Sequence, residues 1–420
     1  MSSTETAANA VADISAQEFW TRPIAEREAA FRRLRDEDPV SRQRQPEGHL
    51  VDIGGELTGP YWALSRYEDI RRVSRDPATF CSGRGVMLED APQEFLDAAL
   101  SILAMDDPRH AAVRGLIGAG FTPRTVKLLE DGIRRDARQV VDELGEHGDG
   151  DFVALVAKRL PEMTIMRMLG VPEADRDELV HHADAMVSWN DPVYLDGRDP
   201  IAVVGEALFR LHQACSELAE ERRASPGDDL LSQLVHAEID GERLRTEEIA
   251  AFFVLLSVAG NDTTRHTSSH AMVAIDRDPE QRALLLEDPD ARLQATAVDE
   301  FVRWASPVMT FRRTATRDCE IAGQPIAAGD KVVLLYPSGN RDERAFDRPD
   351  RFDVARTPNR HLGFGGGGPH YCLGAPLAKL QLRALFGELL TRYPRIAVGD
   401  PDPLVGNFVN GVRSLPMTLG

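Results

Sequence analysis

The sequence predicts a mainly α-helical domain with a small β region, an α+β fold. Beyond Tyr67 most of the chain shows helical periodicity. Short β-branched runs bounded by Pro and Gly lie near the two ends of the sequence. Because neither an internal repeat nor a Gly/Ser linker divides the chain, we expect a single domain over residues 17–420. The small polar residues at 1–16 predict a mobile tail before it.

In the first part of the chain, an amphipathic pattern from Phe19 to Asp36 predicts a helix that ends before Pro39. A strand region follows, with turn residues around Gly54 and Gly59 and a second strand at Tyr61–Leu64. Helical patterns then recur along the middle of the chain, near residues 67–74, 108–118, 123–145, 151–169, 200–224, 246–277 and 291–304.

Toward the C-terminus, β-branched runs predict strands at Glu320–Ile326 and Lys331–Tyr336. A long irregular segment extends from Pro337 to Pro369, and helix resumes from Ala375 to Thr391. Irregular segments of this length are unusual in a compact domain unless they are functional. The residues between this segment and the last helix are therefore the first place to look for a site.

Composition and charge exclude several classes of protein. The 420 residues include 49 Lys plus Arg and 68 Asp plus Glu, a net charge of −19, which argues against general nucleic-acid binding. The start of the chain lacks the basic and apolar regions of a signal peptide. The longest apolar segment, Ile249–Ala259, is too short to span a membrane. We expect a soluble, cytoplasmic monomer.

Four cysteines, Cys81, Cys215, Cys319 and Cys372, are too few and too scattered for a disulfide framework. No CxxC pair suggests structural zinc. These observations favour a reducing compartment. Three of the four thiols are interpreted as structural, and Cys372 is set apart by its surroundings.

Cys372 lies in a glycine-rich stretch, His361–Gly374, directly before an apolar helix. The N–H groups and the dipole at a helix N-terminus favour an anionic sulfur. Glycines allow a backbone to approach a large flat group. A thiolate presented in this way suits an axial haem ligand. Two simpler interpretations are a buried structural cysteine and a phosphate-binding glycine loop.

This stretch resembles the cysteine motif of the cytochrome P-450 superfamily, the haem-thiolate monooxygenases, in its soluble bacterial class. His370, Cys372 and Gly374 fit the motif in order, whereas Phe364 stands eight residues before the cysteine instead of seven. The resemblance implies the P-450 fold, with haem b between an oxygen-binding helix and the cysteine-loop helix, and an axial thiolate from Cys372. In having this extra residue, the sequence resembles an actinobacterial subgroup that acts on sterol side chains and methyl-branched lipids.

A second motif, Ala259–Thr264, lies inside the predicted helix 246–277. A glycine within a helix costs about 1 kcal/mol relative to alanine, so Gly260 requires a reason. The resemblance implies that Ala259 and Gly260 leave room for dioxygen, that Thr263 holds a water or hydroperoxide, and that Asp262 links it to a proton path. The simpler alternative is a threonine bonded to the carbonyl four residues earlier.

Glu300 and Arg303 match the ExxR motif of the family. Several exposed pairs have the same spacing, but this one is flanked by apolar residues and is followed by Pro307. A buried ion pair needs further hydrogen-bond partners. The resemblance implies that Arg351 is the third member of a structural trio.

Haem carries two propionates, for which the resemblance implies a set of four partners. His110 and Arg114 are four residues apart on one helical face, and Arg313 and His370 complete the set. Solvated surface charge is the simpler interpretation of each residue taken singly.

Apolar residues from several segments are predicted to line a substrate pocket for a bulky hydrophobic molecule, such as a sterol side chain, a methyl-branched lipid or a terpenoid. They are Val86, Met87, Leu88, Phe252, Leu256, Val308, Met309, Phe408 and Val409. Individually, such residues are also typical of an ordinary core.

The chain has no flavin or dinucleotide module, so electrons must come from another protein. The resemblance implies a ferredoxin and its NAD(P)H-dependent reductase. From the charges we expect a basic docking patch on the cysteine side, formed by Arg71, Arg72, Arg75, Arg109, Arg114, Lys379 and Arg383. The favoured function is a monooxygenase that hydroxylates an unactivated C–H bond with O2. The alternatives are a peroxide-driven haem-thiolate enzyme and a non-enzymatic haem sensor or lipid-binding protein.

Overall fold

A computed structural model describes residues 11–46, 59–90, 101–189, 191–239, 241–287 and 292–420. Helices dominate these residues. In the first half they are α1 (Gln17–Thr21), α2 (Ile24–Glu37), α3 (Tyr67–Ser74), α4 (Arg109–Gly118), α5 (Pro123–His147), α6 (Arg159–Met168), α7 (Arg176–Val187), α8 (Pro192–Leu195) and α9 (Pro200–Ala224). In the second half they are α10 (Leu230–Val235), α11 (Thr246–Arg277), α12 (Pro279–Leu286), α13 (Arg292–Ala305), α14 (Tyr336–Gly339) and α15 (Ala375–Arg392).

The strands are short and come mostly from the two ends of the chain. They are β1 (Val40–Gln43), β2 (Tyr61–Leu64), β3 (Phe80–Cys81), β4 (Gly150–Asp151), β5 (Glu238–Ile239), β6 (Glu242–Arg243), β7 (Thr310–Ala315), β8 (Cys319–Ile321), β9 (Gln324–Ile326), β10 (Lys331–Leu335), β11 (Ala397–Val398), β12 (Asp402–Pro403), β13 (Val412–Ser414) and β14 (Pro416–Thr418). The principal sheet has the order β1-β2-β10-β7-β3. Within it, β10 pairs in parallel with β2 and antiparallel with β7, which joins early and late segments.

Helix α11 lies at the centre of the helical part. It packs against α6, α7, α9, α13 and α15, and most of its residues are buried. A helix that is covered on nearly every side is typical of the interior of a large domain. Among the described residues, no helix combines the length and the apolar character needed to cross a membrane.

The first predicted helix, from Phe19 to Asp36, is divided in two. α1 ends at Thr21 and α2 begins at Ile24, with Arg22 and Pro23 extended between them. Proline disfavours the helical conformation in the residue before it and lacks an N–H, so it ends one helix and allows the next to start. The prediction of a single helix was wrong at this proline.

The end of the predicted mobile tail is packed against the domain. Ile14 and Ser15 are buried. The Ile14 N–H donates to the Gln43 side chain at 3.0 Å, and the Trp20 indole donates to the Ile14 carbonyl at 3.1 Å. An apolar anchor within a polar stretch therefore moves the start of ordered structure ahead of residue 16. Residues 1–10 lie outside the described residues.

Candidate active site

The loop before α15 closes on itself around Cys372. The Cys372 N–H donates to the Phe364 carbonyl at 2.9 Å, although eight residues separate them. Gly365, Gly367 and Gly368 have φ values of 95°, 92° and 78°, which side-chain-bearing residues rarely adopt. These glycine conformations let the span from Phe364 to Cys372 close on itself, and the cysteine lies just before α15.

The glycines of this loop approach α3. A Cβ on Gly366 would lie 2.8 Å from the Ser74 Cβ, and one on Gly367 would lie 2.6 Å from the Arg75 Nε. A Cβ on Gly368 would overlap the Ser74 carbonyl. In contrast, nothing lies within 4 Å of a Cβ on Gly374. We expected these glycines to admit a flat group, and the structure instead assigns three of them to packing against α3.

Cys372 is exposed on one side. The protein mass around it raises the pKa of its thiol by desolvation, while the N–H groups of Gly374 and Ala375 and the charge of Arg114 act in the opposite direction. Phe364 packs under the loop, with the Lys379 ammonium 5.6 Å from its ring centroid. Backbone donors and a nearby cation are the features that stabilise a thiolate once it binds a metal.

The other side of the site is a stripe on α11. Ala259 is exposed and Thr263 is partly exposed, on a helix that is otherwise almost fully buried. The Thr263 hydroxyl donates to the Ala259 carbonyl at 2.8 Å, the simpler arrangement considered from the sequence. Gly260 does not face this stripe: a Cβ on it would lie 2.6 Å from the Ile165 Cγ1 of α6. Close packing of α11 against α6 therefore gives a structural reason for Gly260, and its role in leaving room for dioxygen stays a prediction.

Asp262 is buried within a cluster of charged groups. It forms an ion pair with Arg265, which also donates to Asp184 of α7 at 3.0 Å. Burial raises the pKa of the Asp262 carboxyl well above its ordinary value; Arg265 opposes this rise, and Asp184 and Glu162 add to it. Burial also raises the pKa of Glu162, to about 7. These groups can therefore hold protons near neutral pH.

The four predicted cationic partners come together. The His110 and His370 ring centroids lie 4.2 Å apart with the rings tilted, and Arg313, His110 and Arg114 all lower the pKa of His370. Desolvation by burial, followed by these charges, lowers the pKa of His370 to about 3. His110 is buried, and its Nε2 has no hydrogen-bond partner within the described part of the chain. A buried polar atom without a partner indicates a missing hydrogen-bonding group.

The predicted structural trio is correct in two members and wrong in the third. Arg303 makes a bidentate pair with Glu300, both at 2.7 Å, and both residues are fully buried. The third arginine is Arg356, whose Nε donates to Glu300 at 3.1 Å. The Arg351 side chain instead lies at the surface beside Glu280, and only the Arg351 carbonyl accepts a bond from Arg303.

Five of the predicted pocket residues fall into two groups. Phe252 and Leu256 share the face of α11 that carries Ala259 and Thr263, because their spacing follows the helical repeat. Val308 and Val409 form an antiparallel bridge, and Phe408 packs on Phe311 with ring centroids 5.5 Å apart.

Leu88 and Met309 do not belong to a pocket. Both are buried in a cluster with Phe19, Trp20 and Phe31. The Met309 sulfur also lies 3.2 Å from the Arg27 guanidinium. The structure therefore corrects these two assignments to core. Val86 is buried with its carbonyl bonded to the Arg312 N–H, and Met87 is partly buried.

The chain matches the family model described as Cytochrome P450 over residues 57–404. It belongs to the cytochrome P450 family. It is 40% identical over 411 residues, 97% of this chain and 94% of the relative, to the methyl-branched lipid omega-hydroxylase of Mycobacterium tuberculosis. It is also 37% identical to the steroid C26-monooxygenase of Mycolicibacterium smegmatis, with 90% and 87% of the two chains covered.

Solved cytochrome P450 structures have the same fold. The chain superposes with a TM-score of 0.93 on the Mycobacterium marinum cytochrome P450 CYP268A2 in complex with pseudoionone, at 53% identity, with 97% and 98% of the chains covered. CYP109E1 from Bacillus megaterium in complex with testosterone gives a TM-score of 0.78 at 29% identity, covering 93% and 99%. The mainly α fold with a small β region, predicted from the sequence, is confirmed.

As a cytochrome P450 monooxygenase, the protein uses haem b, with the Cys372 thiolate as its axial ligand. The residues present fit this cofactor. Cys372, just before α15, and Ala259, on α11, both have exposed surface, and α11 packs against α15. The unpartnered His110 Nε2 lies in a cluster suited to carboxylates.

Sequence reasoning missed Arg265, Asp184, Glu162 and Arg356. Arg265 carried a signal, because a charged pair at i, i+3 inside an apolar helix is unusual. Asp184 and Glu162 lie on other helices and reach Asp262 only through the tertiary fold. Their positions in the sequence are those of ordinary surface acids.

Proposed function

We propose that this cytochrome P450 hydroxylates a C–H bond of a methyl-branched, lipophilic substrate. The observation that carries the proposal is the apolar face of α11, where Phe252, Leu256 and Ala259 lead along one stripe to Thr263. The relatives named for methyl-branched lipid and for steroid substrates support it, as does the neighbour that binds pseudoionone, itself a methyl-branched chain. We place methyl-branched chains ahead of sterol side chains and other terpenoids.

When bound, haem would supply the chemistry of dioxygen activation and of oxygen insertion into the C–H bond. In this proposal Arg114 and Arg313 supply positive charge to its propionates. Burial lowers the pKa of both His110 and His370, and a bound propionate would act in the opposite direction and favour an N–H donor on each ring. Two arginines and two imidazoles match two carboxylates.

Asp262 and Thr263 form the proposed proton path. Asp262 is buried, and its raised pKa lets it carry a proton and release it near neutral pH. Thr263 presents its hydroxyl at the partly exposed stripe of α11, where Ala259 fixes its orientation. Arg265 and Asp184 shield Asp262 from bulk solvent, so protons reach the site through these side chains.

Electrons come, in this proposal, from an acidic ferredoxin served by an NAD(P)H-dependent reductase. The predicted basic patch is smaller than the sequence implied: Lys379 pairs with Asp299 at 2.6 Å, Arg109 with Glu248, and Arg71 with Glu68. Arg72 and Arg75 are exposed, and the Arg75 Nε donates to the Gly366 carbonyl at 3.2 Å. We call these two residues the α3 patch; it adjoins the cysteine loop.

The test is substrate binding to the ferric enzyme, read from the low-spin to high-spin shift. We expect methyl-branched fatty acids to bind more tightly than straight-chain acids of equal length, about fourfold for each buried methyl. Steroids and terpenoids form the comparison arms. Turnover of the tightest ligand with ferredoxin, reductase and NADH should give a hydroxylated product. Equal affinity for branched and straight chains would contradict the proposed substrate class.

A further inference from the structure

Three buried polar residues follow one another along a face of α11, at Asp262, His266 and His270. Their spacing of four residues places them on adjacent turns of the same face. His266 has no exposed surface. Buried histidines in a helix interior require partners for both ring nitrogens.

The tautomer of His266 is fixed by the backbone of β13. The Val412 N–H donates to the His266 Nδ1 at 3.1 Å, so Nδ1 is an acceptor and carries no proton. Burial and the neighbouring charge of Arg265 lower the pKa of His266 well below its ordinary value, which keeps the ring neutral. The ring proton is therefore on Nε2, which must act as a donor.

The His266 Nε2 lies 4.0 Å from the Asp262 Oδ1. Within the described residues neither this nitrogen nor the Asp262 Oδ2 has a hydrogen-bond partner, and both atoms are buried. The gap is too long for a direct hydrogen bond, but one water about 2.8 Å from each atom spans it. The unpartnered Nε2 and the unpartnered Oδ2 belong to these two neighbouring buried groups, and an ordered water between the groups would give each atom a partner.

We propose that His266 is a positioning residue for Asp262, acting through one buried water that accepts from Nε2–H and donates to the carboxylate. This inference rests on the proposed role of Asp262 in proton delivery. Together with Arg265, His266 then holds the carboxylate from two sides. Because a donor stabilises the charged form, His266 limits the rise of the Asp262 pKa that burial causes.

Other charged and titratable groups also act on Asp262. They are Arg265 on α11, Asp184 on α7, Glu162 on α6, and Tyr194 on α8, whose own pKa responds to Asp262. None of these is altered by a substitution at position 266. A change in the Asp262 pKa in such variants therefore reports on His266.

Two substitutions separate the two ring nitrogens. His266→Asn places an amide oxygen near the former Nδ1, which retains the acceptor for Val412 and removes the donor toward Asp262. His266→Gln places an amide nitrogen near the former Nε2 and retains that donor. His270→Gln is the matched control, because the His270 Nε2 contacts the Asn410 carbonyl and makes no bond to Asp262.

The measurement is infrared titration of the Asp262 carboxyl in the resting ferric enzyme, with 13C-labelled aspartate and Asp262→Asn as the reference. We expect His266→Asn to raise the Asp262 pKa by about one unit, a tenfold change in proton affinity, and His266→Gln and His270→Gln to leave it close to wild type. Equal values in the Asn and Gln variants would overturn the inference, as would no shift in either.

The pH profile of product formation separates this inference from the proposed function. If the infrared pKa shifts in His266→Asn while the pH profile stays in place, the positioning role stands and Asp262 is not the proton donor. If Asp262→Asn lowers product formation but the infrared pKa of His266→Asn is unchanged, the proton path stands and the inference about His266 fails.

Discussion

The buried Glu300 carboxylate holds the segment before the cysteine loop in place through hydrogen bonds. Its two carboxylate oxygens accept bonds from Arg303 at 2.7 Å, from the Asp353 N–H at 2.9 Å, from Asn359 at 3.0 Å and from Arg356 at 3.1 Å. A fully buried carboxylate is tolerated only when such partners replace water. Glu300 thereby fixes residues 353–359, although that segment has no regular secondary structure.

Removing one of these partners should have a large effect on stability. We expect Arg356→Leu to lower the free energy of unfolding by about 3–5 kcal/mol, because it leaves part of a buried charge uncompensated. Arg351→Leu should cost less than about 1 kcal/mol, since that side chain makes an exposed pair with Glu280. Urea denaturation of the two ferric variants measures the difference. Similar losses in both would contradict the assignment of Arg356 as the third member.

Residue types and their spacing predicted Cys372, Asp262, Thr263 and the Glu300–Arg303 pair, because each is marked by a local pattern. The third arginine could not be chosen in this way. Arg351 and Arg356 lie five residues apart in one irregular segment, and only the path of the backbone decides which side chain turns inward. The same holds for Gly260, whose neighbour Ile165 is almost a hundred positions away in the sequence.

At the scale of elements, α11 and α6 are held in close contact at Gly260. The absence of a Cβ there lets Ile165 lie against the helix backbone. The predicted helix 246–277 matches α11, because its apolar run is long and is bounded by acidic and basic residues. The helices α7, α10 and α12 were not predicted, since α10 has only 6 residues and the apolar stripes of α7 and α12 are interrupted by charged residues.

Gly260→Ala tests this helix contact. On helix propensity alone the substitution would stabilise the protein by about 1 kcal/mol. We expect instead a net loss of about 1–3 kcal/mol, because the methyl overlaps Ile165 in a packed core. In a double-mutant cycle, Ile165→Ala should relieve the clash and give a coupling of 1 kcal/mol or more, about twice the usual additivity error. Additive effects would show that the contact does not restrict this position.

On the scale of the whole molecule, the protein carries a net charge of −19, and a small cationic area lies beside the cysteine loop. Three cations of the sequence-predicted basic patch, Arg71, Arg109 and Lys379, already pair with carboxylates. The α3 patch is the exposed remainder that adjoins the loop. In a strongly acidic protein, a local positive area steers an acidic partner to one place.

Charge reversal in the α3 patch should slow electron delivery. We expect Arg72→Glu to lower the rate of reduction by ferredoxin about tenfold at low salt, with the difference shrinking as salt screens the charges. The haem spectrum should not change, because Arg72 contacts neither the cysteine loop nor α11. Arg198→Glu, in the connection between α8 and α9, carries the same charge change and serves as the control. A rate independent of salt and of Arg72 would exclude this docking site.

The pairing of Glu300 with Arg356 and Asn359 also sets an order of events during synthesis. When α13 has left the ribosome, Glu300 already has Arg303 as a partner. The two side chains that complete its hydrogen bonds, Arg356 and Asn359, follow some sixty residues later in the chain. Cys372 follows them, and β13, which binds His266, is later still. The helices up to α13 therefore cannot complete their core until the C-terminal residues have been synthesised. A chain shortened after α13 would retain most of its helices, but it would lack a core able to close around a cofactor.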